Sequence, residues 1–134
     1  MKYRVITFPR LSIILTVLLS VTACYTPPDE IPEGLSQMEF FQRAQTAADQ
    51  GRYETALLYY NELLERFPDD RSAQIEARYE IAFIAYKQGE YEEAQMLFEN
   101  ILAEYEADQG RGLPEWPRVL SLRLLATIDE RLHG

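Results

Sequence analysis

The chain carries one hexapeptide pattern twice: Gly51-Arg52-Tyr53-Glu54-Thr55-Ala56 returns 38 residues later as Gly89-Glu90-Tyr91-Glu92-Glu93-Ala94. The register extends on both sides. Ala44/Ala82, Ala47/Ala85, Gln50/Gln88, Leu64/Leu102 and Asp70/Asp108 are identical, while Tyr60/Phe98, Leu63/Ile101 and Phe67/Tyr105 exchange one apolar or aromatic residue for another. A period of this length marks a solenoid, in which one supersecondary unit cannot bury its apolar face alone and stacks on a copy of itself. Function in such a chain usually lies in a surface.

The periodicity inside each unit is helical. Ser36-Gln37-Met38-Glu39 is a capping box, and Leu35 with Phe40 stands at hydrophobic-staple spacing, so a first helix is expected over 37–50. Gly51 ends it, because glycine just past the last turn takes up the left-handed backbone at little cost. A second helix over 52–67 carries Tyr53, Ala56, Leu57, Tyr60, Leu63, Leu64 and Phe67 as one stripe, and Pro68-Asp69-Asp70 stops it. Helices over 71–88 and 90–107 repeat the arrangement around Gly89, with Tyr91, Ala94, Phe98, Ile101, Leu102 and Tyr105 as the second stripe. A polar loop follows over 108–115. A fifth helix, with Pro117 as its first residue, is apolar on one broad side through Val119, Leu120, Leu122, Leu124, Leu125, Ile128 and Leu132.

The N-terminus reads as a targeting segment. Lys2, Arg4 and Arg10 precede an apolar run over 11–21 that is short of the ~20 residues a spanning helix needs. The run closes in Val21-Thr22-Ala23-Cys24, which resembles a bacterial lipobox and gives a role to the only cysteine, acylated as the new N-terminus. The alternative is an ordinary secretory signal cut near Ala23. A lone thiol forms no intramolecular disulfide. The expected organisation is a signal peptide over 1–23, a proline-rich flexible tether over 24–35, and a helical domain over 36–134. Loss of the leader removes three of the 13 basic residues and none of the 22 acidic ones, moving the formal net charge from −9 to −12. Such a surface repels nucleic acid and anionic lipid, both of which need Lys and Arg to meet phosphate. Membrane attachment is then left to acyl chains, each buried methylene contributing about 0.8 kcal/mol.

Ala44, Gly51, Tyr53, Ala56, Tyr60 and Pro68, followed by Ala82, Gly89, Tyr91, Ala94 and Phe98, resemble the tetratricopeptide repeat (TPR) over residues 37–107. The resemblance implies an all-α fold, a TPR-type α-solenoid of two helix hairpins plus a C-terminal capping helix. The chain departs from the repeat's roughly 34-residue period, has Glu106 where a second proline would stand, and has Arg43 where the first unit would carry a large apolar residue. The longer period favours the TPR proteins of bacterial envelopes, similar in particular to the TPR lipoprotein subunit of the outer-membrane β-barrel assembly machinery. In TPR proteins the first helix of each hairpin lines a concave groove. The positions implied here are Met38, Phe41, Gln45 and Ala48, then Glu76, Tyr79, Phe83 and Tyr86. Tyr79, Phe83 and Tyr86 form an aromatic stripe, open to a partner's helix or peptide unless the first helix, the fifth helix or the tether covers it. Phe41, Gln45, Glu76 and Glu80 occupy the region where chaperone-binding TPR domains hold a carboxylate with basic residues and asparagine, so a chaperone-tail receptor is not expected.

Catalytic and ligand motifs are sparse. The only histidine, His133, is next to last, and the only cysteine is assigned to acylation, which leaves no nucleophile with a nearby base. Gly110-Arg111-Gly112 lacks the Lys-Ser/Thr ending of a phosphate loop. Acidic pairs such as Asp69/Asp70, Glu92/Glu93 and Asp129/Glu130 read as caps and solvated faces. The resulting expectation is a non-enzymatic adaptor without cofactor, metal or small-molecule substrate, anchored through Cys24, with Phe41, Gln45, Tyr79, Phe83 and Tyr86 contacting an envelope protein. Tyr25 after the cysteine, where aspartate would mark inner-membrane retention, implies the periplasmic face of the outer membrane. Alternatives are a divergent subunit of a β-barrel assembly complex and an envelope enzyme using groove carboxylates. Cys24→Ser should leave unprocessed precursor or a soluble form. Normal membrane partitioning of that variant, with no acyl mass on the wild-type chain, would remove the assignment.

Overall fold

The computed structural model describes residues 31–107 and 110–134, so the leader, Cys24 and most of the tether segment lie outside the described residues. Among the described residues five helices follow one another: α1 Gln37–Asp49, α2 Tyr53–Arg66, α3 Arg71–Gln88, α4 Tyr91–Ala107 and α5 Glu115–His133. No strand occurs among the described residues. Each helix packs on its neighbours in sequence, while α3 also touches both α1 and α5. The result is the all-α, TPR-like solenoid implied by the repeat, with two hairpins and a fifth helix laid against the second.

The same local chemistry ends α1 and α3. The amide N–H of Arg52 donates to Ala47 O at 2.9 Å and that of Gly51 to Ala48 O at 2.9 Å. Thirty-eight residues on, Glu90 N–H donates to Ala85 O at 3.0 Å and Gly89 N–H to Tyr86 O at 3.1 Å. Both are Schellman turns, which satisfy carbonyls that the helix end would otherwise orphan. Both need a left-handed residue, supplied by Gly51 at φ +71° and Gly89 at φ +82°. The capping box at α1 is closed, with Ser36 N–H donating to Glu39 Oε2 at 2.8 Å and Glu39 N–H donating to Ser36 Oγ. Asp70 caps α3 by accepting from Ala73 N–H at 3.0 Å.

Three alanines close each hairpin. Ala44, Ala47 and Ala56 bring α1 against α2, and their equivalents Ala82, Ala85 and Ala94 bring α3 against α4; none is more than 4 % exposed. Beside them lie the aromatics of the repeat, with Tyr60 and Phe98 both fully buried. Tyr59, outside the stripe read from the sequence, is buried too and meets Phe40 edge-on at 6.3 Å, so α2 uses a wider face than one stripe. Gln74 is the buried polar residue that joins the hairpins. Its Nε2 donates to Leu64 O at 2.8 Å and Phe67 O at 3.1 Å, satisfying the frayed end of α2. Ile31 and Leu35, at the close of the expected tether, pack half-buried against the first core.

The fifth helix begins two residues earlier than the sequence suggested, at Glu115. Pro117 is therefore its third residue, not its first. That position is equally permissive, because none of the first four helical N–H groups has an intrahelical acceptor. The ring is fully buried, which fixes the approach of α5 to the second hairpin. Upstream, the Tyr105 hydroxyl donates to Pro114 O, and a side chain at Gly110 would meet the Tyr105 ring at 2.9 Å. Ala94→Leu should overpack the α3–α4 crossing and cost about 1–3 kcal/mol, while Ala107→Leu on the exposed last turn of α4 should be near neutral. Equal melting temperatures for the two variants would contradict the close crossing at Ala94.

Candidate functional site

A cleft of about 550 Å³ opens between the C-terminal half of α1, the start of α2 and the C-terminal half of α3. From α1 come Gln45, Ala48 and Asp49, and from α3 come Glu80, Phe83, Ile84 and Lys87, with Tyr53 and Gly51 closing one end. Two of the five residues expected to contact a partner, Gln45 and Phe83, therefore share this cleft. Phe41 sits one turn before Gln45, half-buried, with its ring edge-on to Tyr60 at 5.9 Å.

The other two aromatics are engaged by the second hairpin and α5. Tyr79 is only 6 % exposed, with Phe98 at 5.7 Å and Trp116 of α5 edge-on at 4.9 Å. Burial pushes its hydroxyl pKa up to about 12, with the Glu80 charge adding to the rise. Tyr86 faces Tyr91 at 5.8 Å, and the Arg131 guanidinium lies 5.9 Å from its ring and 5.3 Å from that of Tyr91. Arg131 also donates to the Tyr91 hydroxyl at 2.8 Å. Phe83, stacked between Tyr79 at 6.2 Å and Tyr86 at 6.1 Å, is the member of the stripe that reaches the cleft. The stripe is continuous, but α5 closes over its two ends.

The electrostatics of the cleft are set by Glu80. Its carboxyl is pushed above the ordinary glutamate range by burial first, then by the charges of Asp49 and Glu76. Tyr60 is fully buried, and its hydroxyl has no hydrogen-bond partner among the described residues. Burial drives the Tyr60 pKa far upward, and the charges that add to this are Glu80 and Asp49. Reading α1 and α3 by face located Gln45 and Phe83, but placed Tyr60 only as core. The signal available was the exchange of Tyr60 for Phe98 between units, which adds a hydroxyl at a position where a phenyl ring suffices.

The residues that catalysis would need are dispersed. His133 Nδ1 lies 3.1 Å from Asp129 Oδ1 on an exposed last turn, remote in sequence from the cleft. Among the described residues no group of His, Cys, Asp and Glu could hold a metal ion, and no helix is long and apolar enough to cross a membrane.

Comparison with known proteins places this architecture. Residues 33–112, which contain both hairpins, match the family model YfiO, described as outer membrane lipoprotein. An uncharacterized protein of Treponema pallidum (strain Nichols) is 33 % identical over 126 residues, 93 % of this chain and 50 % of that protein. The chain thus spans about half the length of this relative. No solved structure matches. With the repeat, the two hairpins and most of the sequence inside the match, the chain belongs to the YfiO family of outer membrane lipoproteins.

Proposed function

We propose that this protein is a lipid-anchored adaptor of the bacterial cell envelope. Acylated Cys24 holds it at the periplasmic face of the outer membrane, and the cleft between α1 and α3 binds another envelope protein. The observation that carries the reading is the open cleft with Phe83 and Gln45 in its wall, on a fold whose family is one of outer membrane lipoproteins. An aromatic held by stacked neighbours offers large contact area with little further entropy to lose on binding. The reading assigns no catalytic group, cofactor or small-molecule substrate. A second reading, as a subunit of a β-barrel assembly complex, draws on the same family match and differs only in the partner.

Photocrosslinking in cells from positions 83 and 45, with identification of the captured protein, tests the site. Specific capture of an envelope protein is expected, and a β-barrel assembly component among the captured proteins would select the second reading. Phe83→Ala should weaken capture about tenfold with helix content retained. Tyr79→Ala should instead destabilise the fold by about 3–5 kcal/mol, because it empties a buried slot between Phe98 and Trp116. Undiminished capture by a folded Phe83→Ala variant would remove the cleft from the reading.

A further inference from the structure

The two repeats differ at one buried position in a way that packing does not require. Phe98 fills its slot with a bare ring, fully buried. Tyr60 fills the equivalent slot, also fully buried, and carries a hydroxyl that no described residue satisfies. An unpaired buried hydroxyl is destabilising, and phenylalanine would avoid that penalty at the same volume. The charges acting on this hydroxyl are those of Glu80 and Asp49, the two carboxylates of the cleft. Burial and those charges push its pKa further up, so the hydroxyl stays protonated and remains an available donor.

Neither Asp49 nor Glu80 takes part in a salt bridge found among the described residues, and the charges of Asp49 and Glu76 disfavour ionisation of Glu80. Lys87 lines the same cleft, leaving two carboxylates to one ammonium. The second unit does not carry the pair over, since the repeat equivalent of Asp49 is Lys87.

Deepening the groove reading, on which this rests, we propose that the α1–α3 cleft receives an arginine or lysine side chain of the partner protein. Glu80 and Asp49 accept hydrogen bonds from the cation, Phe83 walls its aliphatic stem, and in the bound state the Tyr60 hydroxyl, unpaired among the described residues of the free protein, gains these carboxylates as acceptors. Charge complementarity selects this occupant: a chain of net charge −9 whose cleft sets two carboxylates against one ammonium beside an aromatic wall favours a basic segment over an acidic one. A guanidinium also matches a carboxylate with paired donors, which gives the contact direction as well as attraction.

The test is a calorimetric titration of the full chain, in nonionic detergent, with an acetylated and amidated tri-arginine peptide. Wild-type protein should bind it in preference to tri-glutamate. The Asp49→Asn/Glu80→Gln variant should lose at least about tenfold in affinity, whereas Glu92→Gln/Glu93→Gln, which removes the same charge from the exposed first turn of α4, should change it less than about twofold. Tyr60→Phe should also weaken binding, by about tenfold. Folding of the key variant is not at risk. Burial and Asp49 hold the folded Glu80 carboxyl protonated to higher pH than in the unfolded chain, so its ionisation removes stability as pH rises through the folded pKa. Glu80→Gln should therefore melt at or above wild type at pH 7, with the gain vanishing below the unfolded value of about 4.3. Absence of tri-arginine binding, equal affinity for wild type and either cleft variant, or preference for tri-glutamate overturns the proposal. If crosslinking from position 83 in cells still captures its partner, the cleft stands and only the chemistry of its occupant falls.

Discussion

Everything in this molecule depends on how closely two helices of one hairpin approach. Ala44, Ala47 and Ala56 in the first unit, and Ala82, Ala85 and Ala94 in the second, remove side-chain bulk at the crossing, so that backbones meet and dispersion contacts are made along the whole seam. At that separation the flanking aromatics, Tyr60 and Phe98, are fully buried. The Schellman turns at Gly51 and Gly89 serve the same end, since they reverse the chain in the fewest residues and deliver the second helix onto the alanine face. The position of the cleft follows from this. It is the gap left where α1 and α3, each tied to its own hairpin partner, touch one another only lightly.

What the sequence displayed clearly was whatever is local or repeated. The helix ends at Gly51 and Gly89, the cap at Ser36, the stop at Pro68 and the alanine positions all rest on interactions within a few residues, and a second copy 38 residues away removes most ambiguity. The start of α5 was less legible because it has no repeat counterpart and because proline is tolerated at any of the first few helical positions. The face of α3 was legible as a stripe but not as a surface. Whether Tyr79, Phe83 and Tyr86 meet solvent depends on where α5 lands, and that is settled by Pro117, Trp116 and Arg131, residues 30 or more positions away. Tyr60 illustrates the remaining gap. Its burial was evident from periodicity, whereas the unpaired state of its hydroxyl is a property of three helices at once.

The division of the aromatic stripe has an energetic logic. A continuous exposed strip of three rings would be an aggregation hazard on a small domain. Here α5 seals the N-terminal end with Trp116 and the C-terminal end is masked by Arg131 and Tyr91, so that a single ring, Phe83, lines the open cleft. The sealing groups are themselves amphipathic, which lets them cover apolar surface while keeping a polar edge in water. A binding surface is thereby narrowed to a spot, framed by carboxylates rather than by more hydrocarbon.

Trp116 deserves one more consideration, because it is the chain's only tryptophan and it stands at the seam between α5 and the second hairpin. Its indole is part exposed and part pressed edge-on against Tyr79. Light absorbed and emitted there is sensitive to the polarity on one side and to a neighbouring phenol on the other. The protein thus carries an intrinsic optical gauge of α5 docking, separable from the far-ultraviolet signal that the helices share. Any event that lifts the last helix from the stripe would register as a change of emission colour before a change of helicity.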